Sequence, residues 1–408
     1  MDPQGRLNQG PCLAPDRPHL AGIETANGLR VVRIYGLLAL FHAYVGWRLL
    51  PDLASFGTGM VATMAAWLVL SAVLLPQGFF ARRAQHRILA DGLVWAGSIA
   101  MGSFSSLFVL TVLRDVFLLG IATLELWFPN PDALAQLHAW SAVLVPVLAA
   151  GLTVMGFFNA RRRAVVRMVD VSIAGLPNAL HGFTIAQISD IHVGPTIRRR
   201  YVDSIVDAVN ALEADMIAIT GDLVDGSVAQ LATHTAPLAR LTSRHGSYFV
   251  TGNHEYYSGV ASWVMELRRL GMRVLMNEHV VLEHEGESLV VAGVTDFGAH
   301  HFDESHRSDP AAALAGAPRD AVRLLLAHQP RSAVLAEAAG FHLQLSGHTH
   351  GGQFWPWNFF VRMQQPFTAG LRRLGSLWVY TSRGTGYWGP PKRVGAPSEI
   401  THLRLVPA

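Results

Sequence analysis

The sequence predicts an α/β chain in two parts: an N-terminal bundle of about four transmembrane helices in residues 31–160 and a C-terminal domain of strands and helices in 161–408, with residues 1–30 as a tail. Three observations predict it. Half of the 408 residues are hydrophobic and only 15% are charged, against about 25% in soluble domains, and the apolar excess falls between residues 34 and 160. From residue 183 onward, short apolar runs alternate with amphipathic stretches, the rhythm of strands and helices packed in layers. Five of those apolar runs end in groups rich in Asp, Asn or His.

The first span, 31–50, carries Arg33 and Arg48 near its ends, where long side chains reach the headgroups, and Trp47 suits the interface. Between Asp52 and Arg82 no residue is charged, and a hydrocarbon core of about 30 Å needs only about 20 residues. Uncharged runs at 92–113 and 133–160 complete the set. A cleaved signal peptide does not fit, because the first apolar segment begins late and three more follow. Arg82, Arg83 and Arg87 lie between the second and third spans, and Arg161, Arg162, Arg163 and Arg167 follow the fourth. The segment 125–138 has acids and no Lys or Arg. This bias places the N-terminus, the 82–91 loop and the C-terminal domain in the cytoplasm. Arg114 and Asp115 are expected to end the third span, with 116–127 lying along the interface; an intramembrane ion pair is the alternative.

A pI near 9.2 with a net charge of +3 does not indicate a nucleic-acid partner. Lys392 is the sole lysine, the arginines gather at span ends, and no basic stripe alternates with aromatics. The single cysteine, Cys12, excludes an intrachain disulfide and leans towards a reducing compartment.

In the C-terminal domain, FTIAQIS, MIAIT and SYFV read as buried strands, each followed by an amphipathic helical stretch. SLVVAGV, VRLLLAH, FHLQLS, LWVYTS and ITHLRLV read as later strands. Ligands of such sheets gather at the carboxyl ends of the strands. There the chain places Asp190 and His192, then Asp222, then Asn253 and His254, then His328, then His348 and His350, with glycines where the backbone must turn tightly. Mixed nitrogen and oxygen donors without a thiolate suit Mn²⁺, Fe, Zn²⁺ or Mg²⁺ rather than a structural zinc, and there are more of them than one ion needs. Two metals bridged by a carboxylate can activate water and clamp a phosphoryl group.

These motifs in this order resemble the calcineurin-like metallophosphoesterases over residues 165–406, and the tail YTSRGTGYWGPPKRVGAPSEITHLRL resembles a bacterial membrane-associated subgroup. The resemblance implies a two-layered β-sandwich flanked by helices, a dinuclear metal site with Mn²⁺ foremost, and a bacterial inner-membrane location. It implies that Asp190, His192 and His350 bind the first metal, that Asp222 bridges, and that Asn253, His328 and His348 bind the second. His254 is then catalytic, as general acid or stabiliser of the phosphoryl oxygens, while a hydroxide generated by the metals attacks phosphorus. The family's protein phosphatases carry an arginine after the second aspartate of the G-D-x-x-D block. Here Gly226 follows Asp225, which argues against a protein substrate and leaves Asp225 a supporting role.

The implied function is a membrane-anchored, metal-dependent phosphodiesterase or pyrophosphatase. Its substrate is a phosphate ester, lipid-linked or nucleotide-linked, and its other partners are membrane lipids. A non-catalytic membrane sensor or binding module with the same fold is the alternative. His300 and His301 read as a solvated loop. Arg362, Arg372, Arg373 and Arg383 are either a charged lid over a phosphate or ordinary surface residues.

Overall fold

The computed structural model describes residues 18–80 and 87–408, so Arg82 and Arg83 lie outside the described residues. Four long helices form the N-terminal bundle: α1 (Pro18–Leu53), α2 (Thr58–Phe80), α3 (Arg87–Glu125) and α4 (Pro131–Arg161). Among the described residues, three stretches are long and apolar enough to cross a membrane: Thr58–Gly78, Ile88–Glu125 and Pro131–Arg161. Helix α1 begins ahead of the expected span at 31 and joins them through buried Val45, Leu49 and Leu53. The start of α4 is fixed by Asn130, whose side chain accepts from Ala133 N at 3.1 Å, with Pro131 next. Helices α2 and α3 cross where Gly78 meets Gly97. A Cβ added to Gly97 would lie 2.7 Å from the Gly78 backbone, the close approach that small residues permit in apolar bundles.

Helix α3 runs unbroken past Arg114 and Asp115 to Glu125, so the two charged residues do not interrupt the helix. Neighbouring helices satisfy both residues. Buried Arg114 pairs with Asp52 and donates to Ser141 Oγ at 2.8 Å and to the carbonyls of Arg48 and His138, each at 3.0 Å. Asp115 accepts from Arg48 Nε at 2.8 Å and from Tyr44 at 2.6 Å. With its polar atoms paired, the helix has no reason to stop there. From His138, at this charged level, to Arg161 is about 35 Å of α4 at 1.5 Å per residue, close to one bilayer thickness.

The C-terminal domain has twelve strands: β1 (Val165–Ile173), β2 (Thr184–Ile188), β3 (Met216–Ile219), β4 (Ser247–Phe249), β5 (Arg273–Val274), β6 (Glu278–His284), β7 (Glu287–Gly293), β8 (Val322–Leu326), β9 (Leu343–Ser346), β10 (Gly370–Leu374), β11 (Leu377–Thr381) and β12 (Glu399–Pro407). They form two six-stranded sheets, ordered β1-β12-β2-β3-β4-β5 and β10-β11-β9-β8-β7-β6. Ile185, Met216 and Ala218 of the first sheet share a core with Val291, Leu324 and Leu345 of the second, so the sheets stack as a sandwich. Helices cover the outer faces: Val202, Ile205 and Trp263 on the first sheet, and Ala333 and Ala336 on the second. Strands β2 to β5 run parallel, as do β7, β8, β9 and β11. Being covered on both sides, the parallel strands read as unbroken apolar runs rather than alternations.

Replacing Gly97 by Val is expected to destabilise the bundle by about 1–3 kcal/mol through overpacking, whereas Gly92→Val, with nothing within 4 Å of its added Cβ, should be close to neutral. Thermal unfolding in detergent, followed by the loss of the monodisperse chromatographic peak, measures both.

Candidate metal centre

Every expected site residue follows the carboxyl end of a parallel strand. Asp190 and His192 follow β2, Asp222 follows β3, Asn253 and His254 follow β4, His328 follows β8, and His348 and His350 follow β9. Five of them hold left-handed backbone, with φ of 52° at Asp190, 54° at His192, 50° at Asp222, 69° at His348 and 51° at His350. Each such residue costs about 1–3 kcal/mol and persists only where the surroundings enforce it.

The turns bring the side chains into two adjoining groups, Asp190 with His192 and His350, and Asp222 with His328 and His348. The donor atoms of each group lie within 4.8 Å of one another. Asp222 Oδ2 joins the groups, 3.2 Å from His328 Nε2 and 3.8 Å from His192 Nε2. His192 and His350 face each other at 3.1 Å between Nε2 atoms, and His328 Nε2 lies 3.1 Å from His348 Nδ1. Nitrogens aimed at one another across a gap are donors arranged for a common cation. Asn253 Oδ1 is buried and accepts no hydrogen bond, so it too is an oxygen donor without a protein partner. The residues present therefore fit a pair of divalent cations.

Electrostatics prepares the donors. Burial alone would raise the Asp222 carboxyl, but the imidazoles of His328 and His254 outweigh it and hold that group well below the usual carboxylate range. Burial, with His192 and Arg393 nearby, holds His350 well below the ordinary imidazole value, and burial beside His328 pushes His348 down to about 3. Both imidazoles are thereby kept neutral, as metal ligands must be. His328 is the exception. Burial opposes its charge, but Asp222 prevails and raises its pKa well above the ordinary value.

His254 stands at the rim, its Nε2 4.0 Å from Asp222 Oδ2. Its Nδ1 bonds Asp225 Oδ1 at 2.6 Å, and the same oxygen accepts from His192 Nδ1 at 2.9 Å. One carboxylate oxygen of Asp225 thus holds two imidazoles, and with His192 and His254 it forms a third group of donor atoms within 4.8 Å of one another. Against the cost of burial, Asp222 and Asp225 raise His254 to about 9, so it carries a proton at neutral pH.

Two further residues position the site: Glu255, which the sequence reading placed beside the cleft after His254, and Arg393, which it missed. Glu255 is buried and accepts from the amides of Asp222 at 3.0 Å, Leu223 at 2.8 Å and Gly252 at 2.7 Å, which locks the β3 and β4 turns together. Arg393 is buried in a proline-rich loop and donates to His350 O at 3.1 Å and to His350 Nδ1 at 3.3 Å. No local signal marks the Arg393–His350 contact, because the partners come from different elements, whereas the bond from Gly252 to Glu255, three residues on, is a local capping pattern. His300 and His301 belong to neither donor group. Arg362, Arg372 and Arg383 line a 750 Å³ pocket that begins at Gly351, whereas Arg373 stacks on Trp378.

A family profile described as calcineurin-like phosphoesterase matches residues 183–352. The chain is 41% identical over 274 residues to a "Transmembrane protein with metallophosphoesterase domain" of Bos taurus, covering 64% of this chain and 62% of that protein. It is 36% identical to an uncharacterized metallophosphoesterase of Campylobacter jejuni, covering 64% and 68% of the two chains. It is 33% identical to another from Aquifex aeolicus, covering 54% and 84%. The chain spans between three fifths and two thirds of the length of its vertebrate relatives, 62% in Bos taurus and 64% in Danio rerio.

Titrating the metal-stripped protein with Mn²⁺ at pH 7 is expected to release protons, because His328 must give up the one that Asp222 stabilises. Calorimetry in two buffers of different ionisation enthalpy reads this, and buffer-independent heat would contradict it. Gly252→Ala places a Cβ 2.2 Å from Asp222 Oδ1, and elemental analysis should find its bound metal reduced at least several-fold.

Proposed function

The chain belongs to the calcineurin-like metallophosphoesterase family, and we propose that it is a membrane-anchored phosphodiesterase or pyrophosphatase acting on a lipid-linked or nucleotide-linked phosphate. The observation that carries this reading is Asp222 Oδ2 lying between two His-containing donor groups, with protonated His254 beside it. When bound, two divalent ions, Mn²⁺ foremost and Fe, Zn²⁺ or Mg²⁺ as alternatives, would supply Lewis acidity and a nucleophile at neutral pH. Asp190, His192 and His350 would hold the first, Asn253, His328 and His348 would hold the second, and Asp222 would serve both. His254 faces the phosphoryl group, stabilises its developing charge and delivers a proton to the leaving oxygen, while Asp225 keeps its ring in place.

The membrane part tethers this chemistry to the bilayer. Arg198 of the catalytic domain pairs with Asp91 at 2.6 Å, which favours the domain lying on the same side as the start of α3, and the arginine bias makes that side the cytoplasm of an inner membrane. A fluorescent protein fused to the C-terminus should then fold and fluoresce, and an exported alkaline phosphatase fused there should be inactive.

Metal-restored full-length protein is expected to cleave a chromogenic phosphodiester faster than the matching monoester. His254→Ala should lower that rate by about 10²–10⁴, the usual worth of a general acid, and Asp222→Ala should abolish it. If neither ester is turned over with any divalent metal, the enzymatic reading gives way to a binding module.

A further inference from the structure

The catalytic domain does not stand clear of the apolar helices. Lys392 reaches between them and donates to Gly102 O at 2.8 Å, Ser106 Oγ at 2.5 Å and Thr153 Oγ1 at 3.3 Å. Trp357 Nε1 donates to Ser105 Oγ at 2.9 Å. Gly102, Ser105 and Ser106 fall inside the uncharged run 92–113, and Thr153 inside 133–160. Two loops of the domain therefore meet the bundle within its membrane-type surface rather than at its charged end. The segment they flank is apolar and outward-facing, with Trp355, Trp357, Phe359, Phe360 and Met363 all exposed. Aromatic side chains of this kind sit well at a lipid interface.

The loop that carries Trp388 borders both the chemistry and the apolar surface. The Trp388 ring lies 5.8 Å from that of His254. Two residues on, Pro390 and Pro391 join Val154, Phe157 and Phe158 of α4 in lining an apolar cavity of 370 Å³. Ile99, Thr153 and Val154 also line a second apolar cavity of 530 Å³ that continues between α2, α3 and α4. On the other side of His350, the pocket bearing Arg362, Arg372 and Arg383 has no acidic residue in its lining, although Arg383 is itself bonded to Glu399 at 2.9 Å. One loop thus carries Trp388, beside His254, and Pro390 and Pro391, in the apolar cavity, while the basic pocket reaches Gly351, next to His350.

Building on the phosphoesterase reading, we propose that the substrate is a membrane lipid presented from the bilayer, its acyl chain in the groove between α3, α4 and the Trp388–Pro391 loop and its phosphate beside His254. The occupant is argued from continuity: the groove opens among exposed residues of α4, Val154 and Phe158, on the surface of apolar helices where acyl chains are the solvent. Complementary charge supports it, since the arginines of the pocket next to His350 attract an anionic headgroup. The aromatic segment from Trp355 to Met363 lies in the same lipid layer.

The test reads binding rather than turnover. Full-length protein is placed in nanodiscs containing a trace of phosphatidic acid with a nitroxide on its acyl chain. The spectrum should contain a motionally restricted component that excess unlabelled phosphatidic acid removes and that glycerol 3-phosphate in the water does not. Val154→Trp, which fills the groove from an exposed position, should reduce that component several-fold, whereas Leu148→Trp on the same helix outside the groove should not. A restricted component equal in Val154→Trp would mean ordinary annular lipid only, and displacement by aqueous glycerol 3-phosphate would mean a soluble ester; either result overturns the proposal. Restricted lipid without hydrolysis of any ester would sink the enzymatic reading alone, and hydrolysis of the soluble diester without restricted lipid would sink this inference alone.

Discussion

The site depends on backbone that turns left-handed where parallel strands end. Asp190, His192, Asp222, His348 and His350 all hold positive φ, a conformation that costs an L-residue about 1–2 kcal/mol. Together these costs are comparable with the whole net stability of a typical domain, about 5–15 kcal/mol. They persist because the strands beneath are fixed on both faces, by the partner sheet and by the covering helices. The close turn packing has the same origin. A Cβ on Gly347 would strike Ser189 Oγ at 2.0 Å and Asp190 Oδ2 at 2.1 Å, so the β9 turn can seat against the β2 turn only through glycine. The amide of His348 then donates to Asp190 at 2.9 Å, binding the first donor group to the second through backbone.

That constraint sets the electrostatics. Side chains held a few ångströms apart in a buried space cannot all keep their ordinary charges. The outcome is a division: Asp222 and Asp225 ionised, His348 and His350 neutral, His254 and His328 protonated. Glu255 shows the cost of the crowding. Burial and the nearby Asp222 raise it to about 7, although it accepts three amide hydrogen bonds. A cationic pair at the centre would relieve most of this conflict, since it replaces the protons on which Asp222 now relies.

Much of this was legible in the sequence, for a physical reason. Parallel strands buried on both faces are short apolar runs, and their polar residues can lie only at the ends, so a His or Asp straight after such a run reports its own position. That is why the β2, β3, β4, β8 and β9 turns could be read. Four strands could not. β5 is only two residues, Arg273 and Val274. β1 and β10 are edge strands with mostly exposed or half-exposed side chains, and β6 has only three apolar residues, Val280 to Leu282, between charged and histidine residues, with a histidine on its buried face. Glu255 and Arg393 act on atoms 32 and 43 residues distant, and local pattern carries no trace of such pairings. The continuation of α3 past Arg114 was hidden similarly, because its partners are on α1 and α4.

The loop after Trp388 makes the two halves of the chain one mechanical unit. Lys392 and Arg393 are consecutive, yet their side chains leave the loop towards different partners. Lys392, the sole lysine, ends among polar atoms of α3 and α4, and Arg393 ends on the backbone and ring of His350. The Arg393 amide itself donates to Gly156 O of α4 at 2.9 Å. Neither cation can withdraw cheaply, because each is buried and its hydrogen bonds would be left unmade. A shift of α3 against α4 would therefore be felt at Gly102, Thr153 and Gly156, and passed through one peptide unit to a donor of the metal centre. An anchor that only tethered the domain would need no such contact. Here one loop carries both the contact with the helices and the contact with His350.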